Sequence, residues 1–60
     1  MDRTKLIEAL ARSIAANAEV IAMNPNDWPD SLHARASTIS ADATKLLAAI
    51  QDQISRGGHR

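Results

Sequence analysis

Hydrophobic residues fall into two long stretches of helical spacing, parted once by Asn24-Pro25-Asn26-Asp27-Trp28-Pro29. The first series is Ile7, Leu10, Ile14, Asn17, Ile21; the second is Leu32, Ala36, Ile39, Ala43, Leu46, Ile50. Both advance by alternating threes and fours, which sets each series on one side of an α-helix. The prolines and asparagines between them demand a turn. The pattern predicts an all-α fold, a two-helix antiparallel hairpin. One domain is expected over 1–60, with helix 2–23, turn 24–27, helix 28–56 and a frayed tail 57–60.

Local signals support those bounds. Asp2 and Glu8 lie in the N-terminal half of the first helix, where the dipole favours negative charge. Asn24 precedes a proline and is pushed out of helical geometry. Asp27 is placed to cap the second helix, with Asp30 three residues on and Pro29 in the first turn. Trp28, the only aromatic residue, is expected to staple that corner against Ile21, Ala22 or Met23; the alternative is an anchor for a partner. Gly57-Gly58 should end the second helix. The middle of that helix, Arg35 to Thr44, is rich in Ser, Thr and Asp, so tertiary packing must help to keep it helical.

The apolar set is wider than a lone hairpin can cover. Leu6 and Val20 flank the first seam, Leu47 and Ile54 the second, approaching the three-in-seven pattern of a bundle helix. Two hairpins would cover this surface, so a homodimeric four-helix bundle or higher oligomer is expected. Trp28, Leu6, Val20, Leu47 and Ile54 are the candidate partner interface.

One layer of the seam is polar. Folding back at the turn sets Asn17 near Ala36, with Ser13, His33, Ser37 and Ser40 around it. Asn17 serves either as a register device, as single buried asparagines do, or as part of a ligand site between helices. In the second case Asn17, Ser37 and Ser40 supply hydrogen bonds, and Arg35, Arg12 or His33 meets a phosphate or carboxylate.

Composition narrows the chemistry. At 60 residues the chain has little core to bury, and with no cysteine it has neither disulfides nor thiolate metal ligands. His33 and His59 are too few and too far apart for a metal site, and no cofactor is implied. No nucleophile, metal or nucleotide motif is present, and nothing orients His33 against Ser37, so an enzyme is not expected. Seven basic residues balance seven acidic ones, without the basic stripe usual for nucleic-acid binders. No apolar run approaches the ~20 residues that span a bilayer, and no signal-peptide core follows Met1, so a cytoplasmic location is expected. The alanine-rich, cysteine-free composition is compatible with a bacterium or its phage.

These constraints favour a small, non-catalytic, homo-oligomeric binding module, a regulator, adaptor or inhibitor of another protein. The alternative is sequestration of a small phosphate-bearing nucleotide or signalling ligand in the polar layer, by analogy with compact helical phage proteins that sponge immune nucleotides. A third reading is an RNA- or DNA-binding hairpin. In length and layout the chain resembles the Rop plasmid copy-number regulators, dimeric helical hairpins that bind RNA. That resemblance is architectural, and no RNA-binding residue carries over from it.

Overall fold

The computed structural model describes residues 3–58 and consists of two antiparallel helices, α1 (Arg3–Met23) and α2 (Pro29–Gln53), followed by a π-helical turn, Ile54–Gly58. The expected helix start at Asp2 and the tail residues His59 and Arg60 lie outside the described residues. At 1.5 Å per residue the 21 residues of α1 and 25 of α2 give rods of about 31 and 38 Å. Gly57 and Gly58 belong to the terminal π turn instead of marking a stop before it.

The connection follows from its prolines. The Asn24 amide still donates to the Val20 and Ile21 carbonyls at 3.2 Å, and Pro25 then ends α1 because it has no N–H to continue the ladder. Pro29 is the first residue of α2 and holds Trp28 extended at φ −55°, ψ 135°. The N-cap is therefore Trp28, one residue later than the sequence signals imply, and it makes no side-chain capping bond. The Asp27 carboxylate instead accepts from the Trp28 amide at 2.8 Å. Trp28 itself is 78% exposed, and Met23, one of its expected partners, is 74% exposed, so the indole does not staple the corner.

Where the helices meet, α1 contributes Ile7, Leu10, Ile14, Asn17 and Ile21, all half-buried, as the spacing predicts. On α2 the seam is rotated. Leu32, Ile39 and Leu46 are half-buried as predicted, but Asp42 and Ala49 accompany them, while Ala36, Ala43 and Ile50 are exposed. The apolar sector of α2 is broader than one neighbouring helix can cover, and α1 lies along one margin of it. Within the polar-rich middle of α2, the Thr38 and Thr44 hydroxyls donate to the Ala34 and Ser40 carbonyls one turn back, both at 3.1 Å.

The hairpin is one helix thick. Its extents are 46 × 19 × 14 Å and its radius of gyration is 14.1 Å, against about 10 Å for a globular chain of this length. No described residue is fully buried, and the surface totals 4668 Å², where a globular monomer of 6.5 kDa exposes about 3,800 Å². Stable domains have two packed layers around a core; this hairpin is one such layer. Among the described residues no helix is long and apolar enough to cross a membrane.

Candidate functional site

Among the described residues, polar contacts join the helices near the open end, in the middle and toward the turn, along one edge of the seam. Near the open end, Arg3 Nη2 lies 2.6 Å from Asp52 Oδ2, and Asp52 also accepts from Arg56 one turn on, at 3.1 Å. In the middle, Ser13 Oγ donates to Asp42 Oδ2 at 2.7 Å. Toward the turn, Arg35 Nη1 donates to Asn17 Oδ1 at 3.1 Å, and Asn17 Nδ2 donates to the Ser13 carbonyl at 2.9 Å. Ser13 thus belongs to both central contacts. It ties Arg35 and Asp42, two turns apart on α2, to adjacent turns of α1.

Beside Asn17 the two helices frame an open groove of about 280 Å³, lined by Asn17, Ser31, Ala34, Arg35 and Thr38. Its donors can be counted. Arg35 uses one Nη1 hydrogen on Asn17, leaving its other guanidinium hydrogens to the groove. The Asn17 amide retains a second hydrogen, and Ser31 supplies a hydroxyl; the Thr38 hydrogen is committed to Ala34. Arg3, Arg12 and Arg56 each sit against a carboxylate. Among the described residues Arg35 has no carboxylate within ion-pair distance, so its charge is available to an anion.

The sequence candidates divide. Asn17 and Arg35 come together in the groove. Arg12 is held by Glu8 at 2.7 Å on the exposed side of α1, away from them. His33, Ser37 and Ser40 are exposed and lie on the flank of α2 turned away from Asn17. Ser31, Thr38 and Asp42 take the places expected for Ser37 and Ser40. A signal for them was present: Ser31, Arg35, Thr38 and Asp42 step by four, three and four, the same rhythm as His33, Ser37, Ser40 and Thr44. Two polar stripes of equal regularity run along α2, and periodicity alone cannot say which faces α1.

The candidate interface residues also divide. Leu6, Val20, Trp28, Leu47 and Ile54 are all exposed, but not on one surface. Leu6 and Val20 share the flank of α1 that holds Ser13, since 6, 13 and 20 are heptad-spaced. Ser13 reaches Asp42, so that flank adjoins the Arg35–Asp42–Ala49 side of α2. The other side of α2, with Ala36, Ala43, Leu47, Ile50 and Ile54, adjoins the opposite flank of α1, with Ala11, Ala15, Ala18 and Ala22. The first face carries the groove and most of the charged residues; on the second only Glu8, heptad-spaced with Ala15 and Ala22 and paired with Arg12, stands at the outer margin.

Searches against protein families, curated proteins and solved structures find no match to this chain.

Proposed function

We propose that this chain is a non-catalytic, self-assembling helical hairpin that acts in the cytoplasm by binding another protein, as a regulator, adaptor or inhibitor. The observation that carries this reading is the single helical layer. It has no fully buried residue among those described, and Leu47, Ile54 and Trp28 are 56%, 59% and 78% exposed. Such a layer needs a second surface to complete a core, and exposed apolar residues that gather on one flank, as Leu47 and Ile54 do, mark interaction sites. Homo-oligomerisation into a four-helix bundle supplies one layer; the face that bundle leaves outward is then available to the target.

Native mass spectrometry of the protein purified from its natural host tests this reading. A homo-oligomer carrying a stoichiometric second protein supports it. A chain that stays monomeric and retains no protein overturns it.

The groove at Asn17 and Arg35 favours a second reading, sequestration of a phosphate-bearing ligand. Its size limits that reading: about 280 Å³ falls just below the roughly 300 Å³ at which pockets for small molecules begin. One phosphate or carboxylate group fits; a whole nucleotide is not enclosed by a single hairpin. A nucleic-acid role is less favoured, because the net charge is zero and phosphate contacts require a positive surface.

A further inference from the structure

The geometry points to the alanine-lined apolar face, away from the groove, as the surface on which a second copy packs, with the two hairpins stacked end over end. The inference rests on the self-assembly proposed above and specifies which residues carry it and in what orientation.

Charge separates the two faces. At 100° per residue, Arg35, Asp42, Lys45, Asp52 and Arg56 all project to the seam or to the Ser13 side of α2. Lys5, Arg12 and Glu19 lie on the outer edge of α1. The face made by Ala11, Ala15, Ala18 and Ala22 with Ala36, Ala43, Leu47, Ile50 and Ile54 receives none of them; Glu8, heptad-spaced with Ala15 and Ala22, borders its outer margin and is paired with Arg12. The face with the fewest charges, and those at its margin, is the one that loses least on dehydration.

Area argues for a second copy as the occupant. The chain exposes 4668 Å², about 850 Å² more than a globular monomer of its mass. Each partner of a standard interface buries roughly 800 Å². One like-sized layer of 46 × 19 Å is thus enough to remove the excess.

Shape sets the orientation. Because the helices are antiparallel, Leu47, Ile50 and Ile54 gather at the open end of the face, beside the start of α1. The end nearest the turn is lined by Ala15, Ala18, Ala22 and Ala36. Stacking open end on open end would press large residues together and leave the alanine ends apart. A two-fold axis across the helices sets the large residues of each copy on the alanines of the other, and large against small is how layers interdigitate. Alanine surfaces also admit close approach of helices.

The chain has no cysteine, so Asn26→Cys in the exposed turn accepts a single spin label. Light scattering of the full chain is expected to give twice the 6.5 kDa chain mass. The label-to-label distance is then expected to be about 40 Å, because the turns lie at opposite ends of rods of helical length. A distance under about 20 Å, on the scale of a helix pair, overturns the orientation while leaving self-assembly standing. Leu47→Glu and Ala18→Glu are expected to weaken the dimer by about tenfold or more, whereas Val20→Glu on the other face leaves it intact. Dissociation by Val20→Glu but not by Ala18→Glu overturns the assignment of the face. Monomer at all concentrations overturns the inference together with the self-assembly it rests on.

Discussion

Ser13 and Asp42 are 29 positions apart in the chain and 2.7 Å apart in space, hydroxyl donating to carboxylate. This bond pins the rotation of α2 about its own axis. With Asp42 turned to α1, Ala36, Ala43 and Ile50 are turned out, and the hairpin acquires one charge-rich face and one largely apolar face.

The bond should be measurable as a coupling. Hydrogen bonds to charged groups contribute about 1.5–3 kcal/mol, and this half-buried one should lie at the lower end. Ser13→Ala and Asp42→Ala are each expected to destabilise by roughly 1.5 kcal/mol in urea unfolding. The double variant should be little worse than the worse single one, because only one interaction is lost. Strictly additive losses would show that the two side chains do not interact in solution.

Asp52 joins Arg3 and Arg56 at 2.6 and 3.1 Å, but the Arg3 and Asp52 side chains are 35% and 45% exposed. Partly exposed pairs are worth little, so Asp52→Asn is expected to lower stability by less than about 1 kcal/mol, and by still less in 1 M salt. Thermal melts at low and high salt check this. A larger, salt-independent loss would mean that this end is better buried than the hairpin alone shows.

Trp28 is the only tryptophan and so reports on one place. Its emission should be that of a solvated indole, and Trp28→Ala should change stability by no more than about 0.5 kcal/mol, as exposed positions do. Loss of target binding in that variant, with the melting temperature unchanged, would identify Trp28 as an anchor. A blue-shifted emission from the free protein would contradict its exposure.

The groove makes a separable prediction about Arg35 and Arg12. If it takes a phosphate-bearing ligand, a panel of such compounds at about 100 times Kd should stabilise the protein by roughly 2.7 kcal/mol. For a chain this short that is a shift of about 10 °C or more. Arg35→Ala should abolish the shift and Arg12→Ala should leave it, because Arg12 is engaged by Glu8 outside the groove. No shift with any compound, or equal loss in both variants, removes the groove from consideration.

Asn17 occupies a seam position otherwise filled by Ile and Leu. Asn17→Leu is expected to raise stability by about 1 kcal/mol through added apolar burial, in chemical denaturation, and to release Arg35. A net loss would show that the bonds to Ser13 and Arg35 outweigh the burial that a leucine would gain.

Much of the α1 side of the seam was legible. Ile7 to Ile21 repeat every three and four residues, only one apolar sector fits them, and that sector is the one α1 presents. On α2 the polar residues recur with the same rhythm on both margins of the apolar sector. The choice between Ser37–Ser40 and Ser31–Thr38 as neighbours of Asn17 therefore had no local signal. The indole of Trp28 was similarly underdetermined. A proline at the first helical position predicts the extended backbone before it, but whether the ring then packs inward depends on where the other helix lies.

The amino-acid sequence by itself determined two helices, the turn between them, and an apolar surface too wide for one neighbour. Those properties follow from spacing and from prolines, which act locally. The tertiary structure alone decided which margin of α2 is covered, which stripe forms the groove, and that Leu6 and Val20 lie on a different face from Leu47 and Ile54. Rotation of a helix about its axis is set by the partners its side chains find across the seam. Ser13 and Asn17 find Asp42 and Arg35, and no repeat within either helix encodes that match.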